Sequence, residues 1–205
     1  MNIPSSISRS GRFRDDAWRR LAQTSGCALL HLRLGTVRPD GKSDGLVVNG
    51  AIVRNGVSSR VVRNAAEGGG DERTIAFIRY HSHLRGAPVD VNVLRTVPAL
   101  IIAGGNDAEA GTDDAEALWR QGRSVEAPWT FAIEPDAAHA NEASIVFSHE
   151  LILPWIAAVL RQRLEPGSAR LRPVAPDTGW RGDDAGWLPN EAAARGWRKV
   201  VRGTP

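Results

Sequence analysis

The chain has 205 residues, 42% hydrophobic and 24% charged, with a net charge of +3, which suits a globular domain and leaves open whether there are one or two. No run approaches the ~18 apolar residues of a membrane span, the single cysteine rules out an intramolecular disulfide or a thiolate cluster, and the 26 basic residues form no block, so no nucleic-acid footprint is expected. The start, "MNIPSSISRSGRFRDD", lacks an apolar core, so no secretory signal and a cytoplasmic location are expected.

Residues 15–24, "DDAWRRLAQT", place Trp18, Leu21 and Ala22 at helical spacing behind Asp15 or Asp16 as N-cap, with Ser25-Gly26 as the stop. "CALLHLRL", 27–34, reads as a strand buried on both faces, as in a parallel sheet; Cys27 reads as a small buried hydrophobe. Helix, glycine and buried strand is the grammar of α/β proteins. Residues 35–71 are atypical and loop-rich. "LVVNGAIV", 46–53, looks locally like a hairpin turning at Asn49-Gly50, and "SRVVRNAAE" like a short helix.

"RTIAFIRY", 73–80, and "VPALIIAGG", 97–105, are strands, the second closing on a glycine turn. "DDAEALWRQG", 113–122, is a helix with Ala115, Leu118 and Trp119 on one face and Gly122 as its stop. "WTFAIE", 129–134, is a strand, and "SHELILPWIAAVLRQRL", 148–164, a helix in which Pro154 marks a kink or the first turn of the main segment. The Pro/Gly-rich remainder, 165–205, reads as a tail anchored by tryptophans on a core of residues 1–164, and it ends in a short helix, "EAAARGWRKV".

Asp107 and His139 both follow strand ends, on consecutive βα loops. In an open parallel sheet the carboxyl ends of the strands form the binding edge, and short right-handed crossovers set neighbouring ends side by side. A carboxylate beside an imidazole fixes its tautomer and stabilises the imidazolium. "HSH", His81 to His83, is read as a polar loop or pocket rim; no third metal ligand is evident there.

"VPALIIAGGNDAEA" followed by "APWTFAIEPDAAHAN" resembles the acid and histidine segments of the α/β-hydrolase superfamily, in particular polyhydroxybutyrate-depolymerase-like and feruloyl-esterase-like esterases. "DERTIAFIRYHS", "DDAWRRLAQTSGCALLHLRL" and "GWLPNEAAARGW" resemble further segments of that group, so the likeness covers roughly 11–34 and 71–200. It implies an α/β fold, a three-layer α/β/α sandwich with a mostly parallel sheet, incomplete on its N-terminal side. An incomplete sheet edge favours a homodimer. It also implies a carboxylic ester hydrolase working through a Ser-His-Asp acyl-enzyme on a small-molecule or polyester ester, with no cofactor, metal, nucleic acid or membrane.

The family's G-x-S-x-G elbow is not intact. Its nearest match is "GVSSR", Gly56 to Arg60, with Ser58 in the serine place and Arg60 where the second glycine belongs. Only "SRSGRFRDD" precedes Trp18 where the family's early strands and oxyanion-hole loop stand. The expected catalytic set is therefore Ser58, His139 and Asp107; the alternative is a non-catalytic or degenerate homologue without a working nucleophile.

Overall fold

The computed structural model describes residues 20, 27–37, 43–54, 74–81, 95–109, 111–139, 144–165, 171–174, 176–182 and 186–203. Apart from Arg20, the expected helix over 15–24 lies outside them, as do the expected helix over 59–67 and Ser58.

The strands are β1 (Cys27–Val37), β2 (Ser43–Arg54), β3 (Thr74–Tyr80), β4 (Ala99–Gly104), β5 (Trp129–Glu134), β6 (Trp180–Gly182) and β7 (Gly186–Leu188). The helices are α1 (Asp113–Ser124), α2 (Leu153–Arg163) and α3 (Glu191–Arg202). A single helical turn, Ile145–Phe147, and a π-helical segment, Ser148–Ile152, lead into α2.

The fold is α/β. Its packed centre is a four-strand mixed sheet, mostly parallel, in the order β3-β4-β5-β7, with the three helices packed on it. β1 and β2 extend the sheet beyond β3 and β6 extends it beyond β7, all by antiparallel pairing.

Alternation along the central strands decides which residues meet which helix. Ala99, Ile101 and Ala103 of β4 and Trp129 and Phe131 of β5 pack with Ala115 and Leu118 of α1. Leu100 and Ile102 of β4 and Ala132 of β5 pack with Trp155, Ile156 and Val159 of α2 and with Ala193, Ala194 and Trp197 of α3. β4 is thus buried on both faces along its whole length, as its continuous apolar run requires.

Tryptophans fasten the second of these clusters and the ends of the strands. Trp129 Nε1 donates to Val97 O at 3.1 Å, Trp197 Nε1 to Phe131 O at 2.7 Å, and Trp155 Nε1 to Thr130 Oγ1 at 2.8 Å. Each buries a large ring and still pairs its single polar hydrogen. The 19-residue stretch Ile145–Arg163 is long and apolar enough to cross a membrane by length and composition, but Leu151, Trp155, Ile156 and Val159 are core residues against the sheet.

Three expectations need correcting. β1 runs antiparallel to β2 instead of lying in a parallel sheet. Asn49-Gly50 is no turn: it sits in mid-strand, with Asn49 opposite Leu32 and Arg79, and Gly50 opposite His31 and Ile78. Pairing on both sides holds this dipeptide extended, and the reversal falls instead between Val37 and Ser43. Gly122 does not end α1, which continues to Ser124; it is there because Trp129 lies against it, 2.0 Å from where a Cβ would stand. Pro154 lies in the first turn of α2, directly after the π-helical segment Ser148–Ile152.

Candidate active site

β3, β4 and β5 are parallel neighbours, so their carboxyl ends share one edge of the sheet. Two glycines let the next two loops close on each other there. Gly105 N donates to Glu134 O at 2.8 Å and Asn106 N to Ala137 O at 2.9 Å. A Cβ on Gly104 would lie 2.5 Å from Ala137 O, and one on Gly105 2.3 Å from Pro135 O. Neither position has room for a side chain.

This stitching brings Asp107 against His139. His139 Nδ1 lies 3.0 Å from Asp107 Oδ2 and 3.2 Å from Oδ1. The Asp107 side chain is 1% exposed and that of His139 13%. Asp107 Oδ1 also accepts from Glu109 N at 3.0 Å, and Gly111 N donates to Asp107 O at 2.9 Å, so the loop folds around the carboxylate and fixes its direction. An ionised Asp107 places the ring proton on Nδ1 and leaves the Nε2 lone pair for a proton acceptor's work. Nε2 lies 3.8 Å from Oε2 of the exposed Glu109.

The residues following β3 and ending β5 form a second, buried constellation, of which the sequence pointed only to His81, as a polar loop or rim. Glu134 Oε2 accepts from Tyr80 Oη at 2.7 Å and lies 3.2 Å from His81 Nε2, while Oε1 accepts from Ser144 N at 2.8 Å. Burial alone would raise the Glu134 pKa. The hydrogen bonds from His81, Tyr80 and Ser144 overcome it and bring the carboxyl down to about 2. His81 is 0% exposed, stacked on Tyr80 at 3.8 Å between ring centroids, so it is neither polar loop nor rim. Its φ of 40° lies in the left-handed region, held there by a bond from His81 N to Ile102 O at 2.9 Å.

The two constellations meet in one loop. His139 stands between Glu134 and Ser144 in sequence, and the Glu134 side chain ties those two residues together. Ser144 then caps the following turn, its Oγ accepting from Phe147 N at 3.1 Å. One signal for Glu134 and His81 was present in the sequence: each is polar and directly abuts or ends an apolar strand, the same placement that drew attention to Asp107 and His139.

Among the described residues, no group of three or more His, Cys, Asp or Glu could hold a metal ion. Compared with models of known protein families, with curated proteins and with solved structures, the chain matches none of them.

Proposed function

We propose that the chain is a carboxylic ester hydrolase of α/β-hydrolase type, with a three-layer α/β/α core incomplete on its N-terminal side. Asp107 orients His139, and His139 takes the proton of a serine as it attacks the acyl carbon, then returns it to the leaving alcohol. Ser58 is the candidate nucleophile, water releases the acyl group, and the chemistry requires no cofactor. Small-molecule and polyester esters are the substrate class. The observation that carries this reading is the 3.0 Å contact between His139 Nδ1 and Asp107 Oδ2, at the carboxyl edge of adjacent parallel strands.

One observation favours a second reading, a homologue that keeps the acid–histidine pair without a working nucleophile. β2 runs antiparallel to β3, with Val53 opposite Thr74, so Arg54 leaves the sheet at the edge opposite His139. Ser58 stands four residues further on and outside the described residues. Four extended residues reach at most ~14 Å, whereas the length of β3 alone is ~20 Å.

A fluorophosphonate probe with peptide mapping separates the two. A label on Ser58, lost in His139→Ala, together with hydrolysis of p-nitrophenyl butyrate, supports the hydrolase. A label on another serine keeps the hydrolase and moves the nucleophile. No label and no turnover leave the degenerate homologue. β1 ends the described sheet, and a homodimer through that edge is the association we propose, to be read by analytical ultracentrifugation.

A further inference from the structure

We propose that this site selects by charge, accepting neutral and cationic esters in preference to anionic ones, with Glu109 as the residue that sets the preference. The inference rests on the reading of His139 as the group that meets substrate. Glu109 Oε2 lies 3.8 Å from His139 Nε2, the ring atom that faces away from Asp107. Its side chain is 66% exposed, so it stands in solvent at the mouth of the pair and is not part of the packed loop.

The two segments that carry the pair have the same sign in sequence. Segment 104–118 contains Asp107, Glu109, Asp113, Asp114 and Glu116, segment 134–147 contains Glu134, Asp136 and Glu142, and neither contains a Lys or Arg. Glu109, Asp113, Asp114 and Asp136 are exposed, and Asp107 and Glu134 are buried on the same edge. The basic group that β3 contributes near this edge, Arg79, is itself buried; burial lowers its pKa and the charge of Asp114 opposes that. Of these carboxylates, Asp107 and Glu109 stand directly at the imidazole, at Nδ1 and Nε2 respectively.

An ester bearing a carboxylate or sulfonate near its acyl carbon must bring that charge up to Glu109. An ester bearing a quaternary ammonium gains from the same field. For one exposed carboxylate several ångströms away, the bias is roughly three- to tenfold at low salt, and it shrinks as salt screens it.

Two measurements test this on the full chain. The first is the ratio of kcat/KM for a trimethylammonium-bearing and a sulfonate-bearing p-nitrophenyl ester; it should exceed one and fall roughly three- to tenfold in Glu109→Gln. The second needs no turnover: titration of butyltrimethylammonium and of butanesulfonate, followed by the NMR shift of the His139 ring. The ammonium should perturb the ring at lower concentration than the sulfonate, and Glu109→Gln should abolish the difference. Equal response to both probes in the wild-type protein overturns the inference, even if esters are hydrolysed. An ammonium preference that survives Glu109→Gln overturns the role given to Glu109. An ammonium preference lost in Glu109→Gln without turnover of any ester upholds the charge selection and removes the hydrolase instead.

Discussion

Gly105 and Pro135 meet backbone to backbone: a Cβ on Gly105 would stand 2.3 Å from the Pro135 carbonyl oxygen. The contact closes the two loops that hold Asp107 and His139, so the chemistry of the pair depends on a residue that carries none.

Gly105→Ala should therefore act on the site and not only on stability. A main-chain oxygen cannot swing aside as a side chain would, so the loops must part. Overpacking of this kind costs about 1–3 kcal/mol, to be read as a lower denaturant midpoint. The same variant should lose the Nδ1-protonated tautomer of His139, visible in ring ¹⁵N shifts. A wild-type midpoint with an unchanged tautomer would show that the loops approach each other for another reason.

Acid sensitivity is the next expectation. Glu134 titrates at about 2 in the folded protein against an ordinary value of 4.5. Its folded pKa is depressed, so the unfolded chain binds the proton more readily between these values. The carboxylate thus contributes its stability in full above about pH 4.5, and that contribution drains away as the pH falls toward about 2. The shift corresponds to something on the order of 3 kcal/mol. Glu134→Gln should be less stable than wild type at pH 7, and the gap in urea midpoint should close by pH 2. A gap of constant size across that range would mean the ionised carboxylate is not what holds Tyr80, His81 and Ser144 together.

Two principles point in opposite directions at Gly196, in the middle of α3. Helix propensity favours Gly196→Ala by about 1 kcal/mol. Packing forbids it, because the new Cβ would lie 1.8 Å from Glu150 O in the π-helical segment before α2. Backbone contact should win, with a net loss of about 1–3 kcal/mol and faster amide exchange across Glu191–Arg202 than elsewhere. A stabilised variant would show that α3 does not sit as tightly on that segment as this distance requires.

What the sequence made legible follows from where the information lies. β3, β4, β5 and α1 to α3 are local patterns of apolar residues, and each was readable from its own segment. The meeting of Asp107 with His139 was readable too, because topology alone sets consecutive parallel strand ends together. Strand direction at β1 and β2 was not, since an apolar run such as "CALLHLRL" looks alike whichever way its neighbour points. Asn49-Gly50 misled because a dipeptide suited to a turn can also be held extended between two paired neighbours. Glu134 escaped notice, and His81 was read as loop or rim, because the bonds that hold Glu134 ionised come from His81, Tyr80 and Ser144, the last two 54 and 10 positions away.

Asp107→Asn puts the acid–histidine pair itself to the test. An amide at this position can offer Nδ2–H to His139, so Nδ1 turns acceptor and the ring proton moves to Nε2, where a proton acceptor is needed. If the pair does general-base work, kcat should fall roughly 10³–10⁴-fold with KM little changed, as loss of the orienting carboxylate does in acyl-transfer triads. The fold should tolerate the change, since Asn keeps the shape and can still accept from Glu109 N, the bond now 3.0 Å long. Ring ¹⁵N shifts should report the proton on Nε2 whether or not any ester is turned over. A kcat within tenfold of wild type beside a switched tautomer would show that the Asp107–His139 bond serves the architecture of the loops alone.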